Sequence, residues 1–151
     1  MYTRILVPVD GSATAEHGLR EALSLAAELK SQLVLLHVVD DYPLMFDSAA
    51  AAAFGETRRH VLQLGEETLS RARGLARDAG VPAEAVLREV VSVRVADVIV
   101  EEAAQRGCQL IVMGTHGRRG FNRLAMGSDA EMVVREAPVP VLLVRHQEPK
   151  G

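Results

Sequence analysis

The segment between Gly114 and Ser128 has the residue types that bind phosphate. It contains four glycines, three arginines and no carboxylate, namely Gly114, Gly117, Gly120, Gly127, Arg118, Arg119 and Arg123. Glycine lets the backbone approach a ligand closely and turn its N–H groups toward an anion. Gly127 and Ser128 then open a helical pattern, and the N-terminus of a helix favours phosphate. The spacing therefore predicts a site for a polyphosphate.

Simpler interpretations accompany this prediction. Ser128 and Glu131 form the S-x-x-E pattern of a capping box, so Ser128 could cap its own helix and still face a phosphate. Asp10 follows the first apolar run, where it could hold a metal ion or cap the turn or helix that begins there. The sequence lacks G-x-x-x-x-G-K-[ST], which excludes a P-loop NTPase, and it lacks G-x-G-x-x-G after the first predicted strand.

Short apolar runs alternate with longer helical patterns along the chain. Continuous apolar runs of this length are typical of strands buried on both faces of a parallel sheet. The predicted strands are residues 5–9, 33–39, 86–91, 110–113 and 139–144. The helical patterns lie at about residues 19–29, 62–79, 95–106 and 128–136.

This alternation predicts one α/β domain over residues 1–151. The expected fold is an open, doubly wound, five-stranded parallel sheet in the order 3-2-1-4-5, with helices on both faces. Arg88 and Glu89 suit an edge for the third strand, and Pro138 and Pro140 suit the opposite edge for the fifth. Ligands of such sheets bind beyond the carboxyl ends of strands where the strand order reverses, here between strands 1 and 4.

Composition excludes several classes of protein. A net charge of −3, from 17 basic and 20 acidic residues, argues against a nucleic-acid binder, which needs a basic face. The basic residues are 15 arginines and 2 lysines. The single cysteine, Cys108, allows no internal disulfide and is predicted to be a buried apolar residue. No apolar run approaches the ~18 residues of a membrane span, and no signal-peptide core is present, so we expect a soluble, cytoplasmic protein with no membrane partner.

The chain resembles a universal stress protein domain over essentially its whole length. The nucleotide motif of that family is glycine, two residues, glycine, nine residues, glycine, then serine or threonine. Gly114, Gly117, Gly127 and Ser128 match this motif without a gap. The opening ILVPVDGS at residues 5–12, the sequence LHV at residues 36–38 and the closing PVPVLLV at residues 138–144 also resemble the family.

The resemblance implies an ATP-binding regulatory or stress-response module that uses Mg²⁺, has slow or no turnover and has no catalytic residue. It implies that Asp10 lies beside the nucleotide and its metal ion, and that Val9 and Val38 contact the adenine edge. Met113, Gly114 and Gly117 would line the ribose–phosphate loop. The complete implied site is Pro8, Val9, Asp10, Val38, Met113, Gly114, Gly117, Arg118, Arg119, Gly127, Ser128 and Asp129.

Asp129 departs from the pattern of the family, which commonly has a small or β-branched apolar residue there. A carboxylate suits the dipole of a helix N-terminus, but it repels a triphosphate unless Mg²⁺ or Arg118 and Arg119 screen it. Two alternatives therefore stay open: a dimeric interaction protein of the same family that binds no nucleotide, and a weak ATP hydrolase.

Three other features of the sequence lead to structural predictions. The long connection at residues 40–55 includes an alanine run that could form a short helix. His37 lies on a buried strand and is expected to be a satisfied core histidine rather than a ligand. The last strand, Val139 to Val144, is an edge with almost no charge, and pairing with a second copy would cover it. A homodimer through this strand is also what the resemblance implies.

Overall fold

The computed structural model describes residues 1–40, 54–115 and 126–145. Strands and helices alternate through these ranges. The strands are β1 (Arg4–Pro8), β2 (Gln32–Asp40), β3 (Ala83–Val90), β4 (Leu110–Gly114) and β5 (Val141–Val144). The helices are α1 (Ala13–Leu29), α2 (Phe54–Asp78), α3 (Val95–Gln105) and α4 (Ser128–Glu136). The short helix expected in the alanine run lies outside the described residues.

The strands form one parallel sheet in the order β3-β2-β1-β4-β5, which confirms the predicted topology. β1 lies between β2 and β4, so that Leu6 stands opposite both Val34 and Ile111. The strand order reverses at the boundary between β1 and β4. The carboxyl ends of these two strands therefore border the crevice where a sheet of this kind binds its ligands.

Helices cover both faces of the sheet. Ile5 and Val7 pack with Leu19 of α1 and Leu69 of α2 on one face. Leu6, which points the other way because side chains alternate along a strand, packs with residues of α3 and α4. Full burial on both faces explains why β1 is a continuous apolar run. No helix among the described residues combines the length and apolarity that a membrane span requires.

The two edge strands differ from the predicted boundaries. β3 begins at Ala83, three residues before the predicted start, because Ala83, Glu84 and Ala85 pair with β2 although they are only half-buried. β5 begins at Val141, two residues later than predicted. The edge positions themselves are as predicted.

A chain of alternating arginines and glutamates joins β1, β3 and α3, and we call it the six-residue ion chain. Its members in order of contact are Arg4, Glu84, Arg106, Glu102, Arg88 and Glu101. Glu102 is the buried member, with 3% of its side chain exposed, and Arg106 Nε lies 2.5 Å from its Oε2. The second oxygen of Glu102 accepts a hydrogen bond from Arg88. The chain thus links the end of α3 to the edge of the sheet.

Cys108 lies between α3 and β4 and is buried, with 4% exposure. Burial raises the pKa of its thiol above the ordinary value, and the nearby guanidinium groups of Arg4 and Arg106 oppose that effect only partly. A raised pKa keeps a thiol protonated and unreactive. The prediction of a small buried apolar residue is confirmed.

Candidate functional site

The predicted site residues that the structure describes come together at the carboxyl edge of the sheet. Pro8 ends β1 and Gly114 ends β4, and these strands are parallel neighbours. Asp10 follows directly after β1, and Val38 lies near the end of β2. Gly127 and Ser128 open α4. Gly117, Arg118 and Arg119 lie outside the described residues.

Asp10 organises the turn that connects β1 to α1. Its Oδ1 accepts a hydrogen bond of 2.8 Å from the backbone N–H of Ser12. Ser12, not Asp10, is the N-cap of α1, since its hydroxyl oxygen accepts the N–H of Ala15 at 3.1 Å. Gly11 between them has φ +83°, a conformation that favours glycine. The half-buried carboxylate of Asp10 is therefore held in a defined orientation beside the end of β1.

The polar backbone groups of Val9 are both used within the protein. Its N–H donates to the carbonyl of Leu36 at 2.8 Å, and its carbonyl oxygen lies 2.8 Å from Nδ1 of His37. Because a carbonyl only accepts, Nδ1 of His37 carries the proton. The side chain of Val9 packs in the core under α1 and α2. Contact between Val9 and an adenine ring therefore depends on the second lone pair of its carbonyl oxygen.

His37 is a satisfied core histidine, as expected. Its ring is half-buried and lies against Gly65 of α2, where a Cβ would come within 2.7 Å of the imidazole Cδ2. The absence of a side chain at Gly65 thus makes room for the ring. The sequence places Gly65 on the apolar stripe of this helix but did not predict its contact with His37, although a lone glycine inside a helical pattern is a known signal of close packing.

Gly114 is required by helix packing as well as by the motif. A Cβ at Gly114 would lie 2.6 Å from Cγ2 of Thr14 and 2.7 Å from the Thr14 carbonyl oxygen. A Cβ at Gly18, one turn further along α1, would lie 3.0 Å from the backbone N of Gly114. The first turns of α1 therefore rest directly on the end of β4. Thr14 and Gly18 were not identified from the sequence as part of this arrangement.

The chain leaves β4 and enters α4 at adjacent backbone positions. The N–H of Gly127 donates to the carbonyl of Thr115 at 2.6 Å, and the N–H of Thr115 donates to the carbonyl of Val144 in β5 at 3.1 Å. Thr115 itself is buried. These two hydrogen bonds fix the start of α4 beside the end of β4.

The capping-box prediction for Ser128 is wrong. Gly127 is the N-cap of α4, because its carbonyl accepts the N–H of Glu131 at 3.0 Å, and Ser128 is the first helical residue. Gly127 has no side chain and therefore cannot cap the helix through one. The carboxylate of Glu131 bonds Arg135 one turn later. The first N–H groups of any α-helix lack an acceptor inside the helix, so the start of α4 is a position that favours an anion.

Asp129 lies exposed in the first turn of α4, together with Glu131. Acidic residues at this end stabilise the helix through its dipole. The same charge weakens the attraction of the helix start for phosphate, so the repulsion expected from the sequence has a structural basis.

A cleft of about 340 Å³ lies between α1 and α2. Val9, Gly11 and Ser12 line one end of it, and Thr68 and Arg71 line the side formed by α2. Val38, Gly114 and Gly127 do not take part in its lining. Among the predicted site residues that the structure describes, only Val9 lines this cleft.

Comparison with protein families gives a match over nearly the whole chain. Residues 1–145 match the model of the universal stress protein family. A universal stress protein of Methanocaldococcus jannaschii is 34% identical over 146 residues, which is 96% of this chain and 83% of the relative.

Solved structures give the same result. A crystal structure from the universal stress protein family of Burkholderia pseudomallei is 36% identical, covers 95% of this chain and 96% of its own, and has a TM-score of 0.77. The universal stress protein of Archaeoglobus fulgidus in complex with dAMP is 26% identical, with a TM-score of 0.69 and coverage of 94% of this chain and 97% of its own.

Proposed function

Because the chain belongs to the universal stress protein family, we propose that it binds ATP with Mg²⁺ in the crevice between β1 and β4. In this proposal it acts in the cytoplasm as a nucleotide-dependent regulatory or stress-response module with slow or no turnover. The A. fulgidus complex supports an adenine nucleotide as the ligand, since that relative was solved with dAMP.

The start of α4 is the observation that carries the proposal. The N-cap Gly127 has no side chain to cap this helix, and its N–H donates to the Thr115 carbonyl, which holds the helix start beside the end of β4. A helix start that is fixed in this way at the switch point of the sheet is suited to a phosphate group.

Asp10 fits the Mg²⁺ that a nucleotide carries. Mg²⁺ is usually held by one or two carboxylates together with the phosphates of the substrate, not by a cage of protein ligands. Among the described residues, no group of three or more His, Cys, Asp or Glu is arranged to hold a metal. In the proposed site, Asp10 supplies a carboxylate oxygen, and the phosphates and water supply the other ligands. The bound ion offsets the negative charge of Asp129.

Gly127→Val should reduce ATP affinity by at least about 100-fold, which is roughly 3 kcal/mol, and should leave the fold intact. The backbone of Gly127 has φ −62° and ψ 153°, an extended conformation that valine adopts without strain. The valine side chain would occupy the space in front of α4. Calorimetric titration with ATP and Mg²⁺ measures the affinity, and circular dichroism measures the fold.

Gly74→Val is the matched control, since a Cβ at Gly74 meets only the tip of Arg77 at 3.8 Å and lies on α2, away from the crevice. Retained affinity in Gly127→Val would show that the start of α4 is not the site. Chromatography of nucleotide released from the purified wild-type protein gives an independent test. If no adenine nucleotide is released and none binds in titration, the proposal fails.

We also propose a homodimer through β5. This strand pairs with β4 on one side only among the described residues, and Leu142 is 38% exposed. A second copy related by a two-fold axis would cover this edge.

Light scattering should give about twice the monomer mass, and Leu142→Lys should give a monomer, because a charged side chain disfavours edge pairing. Leu64→Lys, at a similarly exposed position on α2, should remain a dimer. A monomeric wild-type protein at micromolar concentration would contradict the proposal.

A further inference from the structure

The pairing between β1 and β2 ends one hydrogen bond early. In a parallel ladder, a residue that donates its N–H to one residue accepts at its carbonyl from the residue two positions further along the partner strand. Val9 donates to the carbonyl of Leu36, so its own carbonyl should accept the N–H of Val38. Among the described residues this bond is not made. Nδ1 of His37 lies 2.8 Å from the Val9 carbonyl oxygen in its place.

The backbone of Val38 consequently faces the open end of β1. Along a strand, the N–H and C=O of alternate residues point to the same side. Leu33 of β2 donates to Pro82 on the β3 side, whereas the carbonyl of Leu36 accepts from Val9 on the β1 side. Val38 lies two residues after Leu36, so its N–H and C=O also point to the β1 side. β1 has already ended at Pro8, and no strand of the described part of the chain pairs with Val38 on that side.

The imidazole ring of His37 is packed in a fixed position, so it can replace the Val38 N–H as the donor to the Val9 carbonyl. Its ring lies on Gly65 of α2 and near Leu87 of β3, since a Cβ at Gly65 would come within 3.1 Å of the ring Nε2 and 2.9 Å of Leu87 Cδ1. β2 supplies the backbone to which the ring is attached. The ring therefore has one side on a helix and its Nδ1 on the end of β1.

We propose that His37 is a positioning residue that keeps the N–H and C=O of Val38 available to an adenine ring. The proposal rests on the proposed function. One donor and one acceptor side by side match the N6/N7 edge of adenine, which presents an amino donor next to a ring-nitrogen acceptor, whereas the same edge of guanine presents two acceptors, O6 and N7. Nδ1 of His37 takes the place of the Val38 N–H at the Val9 carbonyl, so Val38 is not drawn into the ladder. The N–H and C=O of Val38 thereby favour adenine over guanine without contacting the phosphates.

His37→Leu tests the proposal, and His37→Asn is the conservative variant. Leucine is apolar and matches the surroundings of Gly65 and Leu87, but it has no donor for the Val9 carbonyl. The side-chain amide nitrogen of asparagine stands close to the position of Nδ1 and can donate. His60→Leu, at an exposed position on α2, is the control for loss of a histidine.

Two measurements separate positioning from a general structural role. Hydrogen exchange of the Val38 amide should slow at least tenfold in His37→Leu, because that N–H then closes onto the Val9 carbonyl, and it should stay fast in His37→Asn. Affinity for ATP should fall about tenfold in His37→Leu while affinity for inorganic tripolyphosphate is unchanged. The preference for ATP over GTP should fall in the same variant and be restored in His37→Asn.

An unchanged exchange rate of Val38 in His37→Leu would overturn the proposal. An equal loss of ATP and tripolyphosphate binding would also overturn it, since that result indicates a general disturbance of the site. Failure of the wild-type protein to bind ATP would remove the proposed function and the role of Val38 together. The exchange rates would still show, separately, whether His37 ends the ladder.

Discussion

Gly114→Ala should lower the free energy of unfolding by about 2–3 kcal/mol, the cost of overpacking a rigid contact. The added Cβ would meet Cγ2 of Thr14 at 2.6 Å and the Thr14 carbonyl oxygen at 2.7 Å. The methyl group of Thr14 could rotate away, but the Thr14 carbonyl belongs to the first turn of α1 and moves only with the helix. Gly18 rests on the same part of β4, so the helix would lose its close packing over two turns.

Urea unfolding followed by circular dichroism measures this effect. Gly74→Ala is the matched control with the opposite expected sign, because Gly74 is in the interior of α2 and its Cβ would meet only Arg77 at 3.8 Å. Alanine there should stabilise the protein by about 0.5–1 kcal/mol. Equal stability of Gly114→Ala and the wild type would contradict the close approach of α1 and β4. A loss of ATP binding in Gly114→Ala would not by itself demonstrate contact with the ligand.

Glu102→Gln should lower the free energy of unfolding by about 3 kcal/mol, since it removes the buried carboxylate of the six-residue ion chain. Arg88 and Arg106 then keep only their more exposed partners, Glu101 and Glu84. Glu102 is almost fully buried and lies between the guanidinium groups of Arg88 and Arg106, which are about 30% exposed. Glutamine keeps the size of the side chain but not its charge. Glu131→Gln is the control, because the Glu131–Arg135 pair is exposed and its loss should cost no more than about 0.5 kcal/mol.

The effect of Glu102→Gln should depend on pH. Burial, the largest single influence, raises the pKa of Glu102, but hydrogen bonds from Arg106 and Arg88 outweigh it and hold the pKa below its ordinary value. A carboxyl whose pKa is lower in the folded state contributes stability above the unfolded pKa of about 4.3. This contribution is lost as pH falls through the folded-state pKa. Urea unfolding should show the full difference between wild type and Glu102→Gln at pH 7 and a smaller one at pH 3. An equal difference at both pH values would contradict the ion-pair explanation.

The fold could be predicted from the sequence because its strands are apolar on both faces. A strand such as β1, with Ile5, Leu6 and Val7 fully buried, has no alternative place in a helix-covered sheet. The boundaries of the edge strands were less predictable. The first residues of β3 carry small or charged side chains, and only their pairing with β2 identifies them as strand.

The position of the candidate site could be predicted from the sequence, but not all of its hydrogen bonds. Parallel strands end at one edge, so Asp10, Gly114 and Gly127 had to lie near one another. The capping interpretation of Ser128 was wrong because the S-x-x-E pattern does not reveal that Gly127 already accepts the first hydrogen bond of the helix. The bond from His37 to Val9 could not be predicted, since it depends on the register of β1 against β2 and on the space above Gly65.

The six-residue ion chain bears on how the protein responds to heat. Hydration of charged groups becomes less favourable as temperature rises, so the cost of burying Glu102 and of partly burying the other five charges falls on heating. The resulting increase in stability is larger for a network of charges than for isolated ion pairs. Three of the 15 arginines belong to the chain, and the planar guanidinium of arginine can bond two carboxylates at once, as Arg88 and Arg106 do here. The three arginines of the chain therefore provide a contact between α3 and the sheet that becomes relatively stronger as the temperature rises.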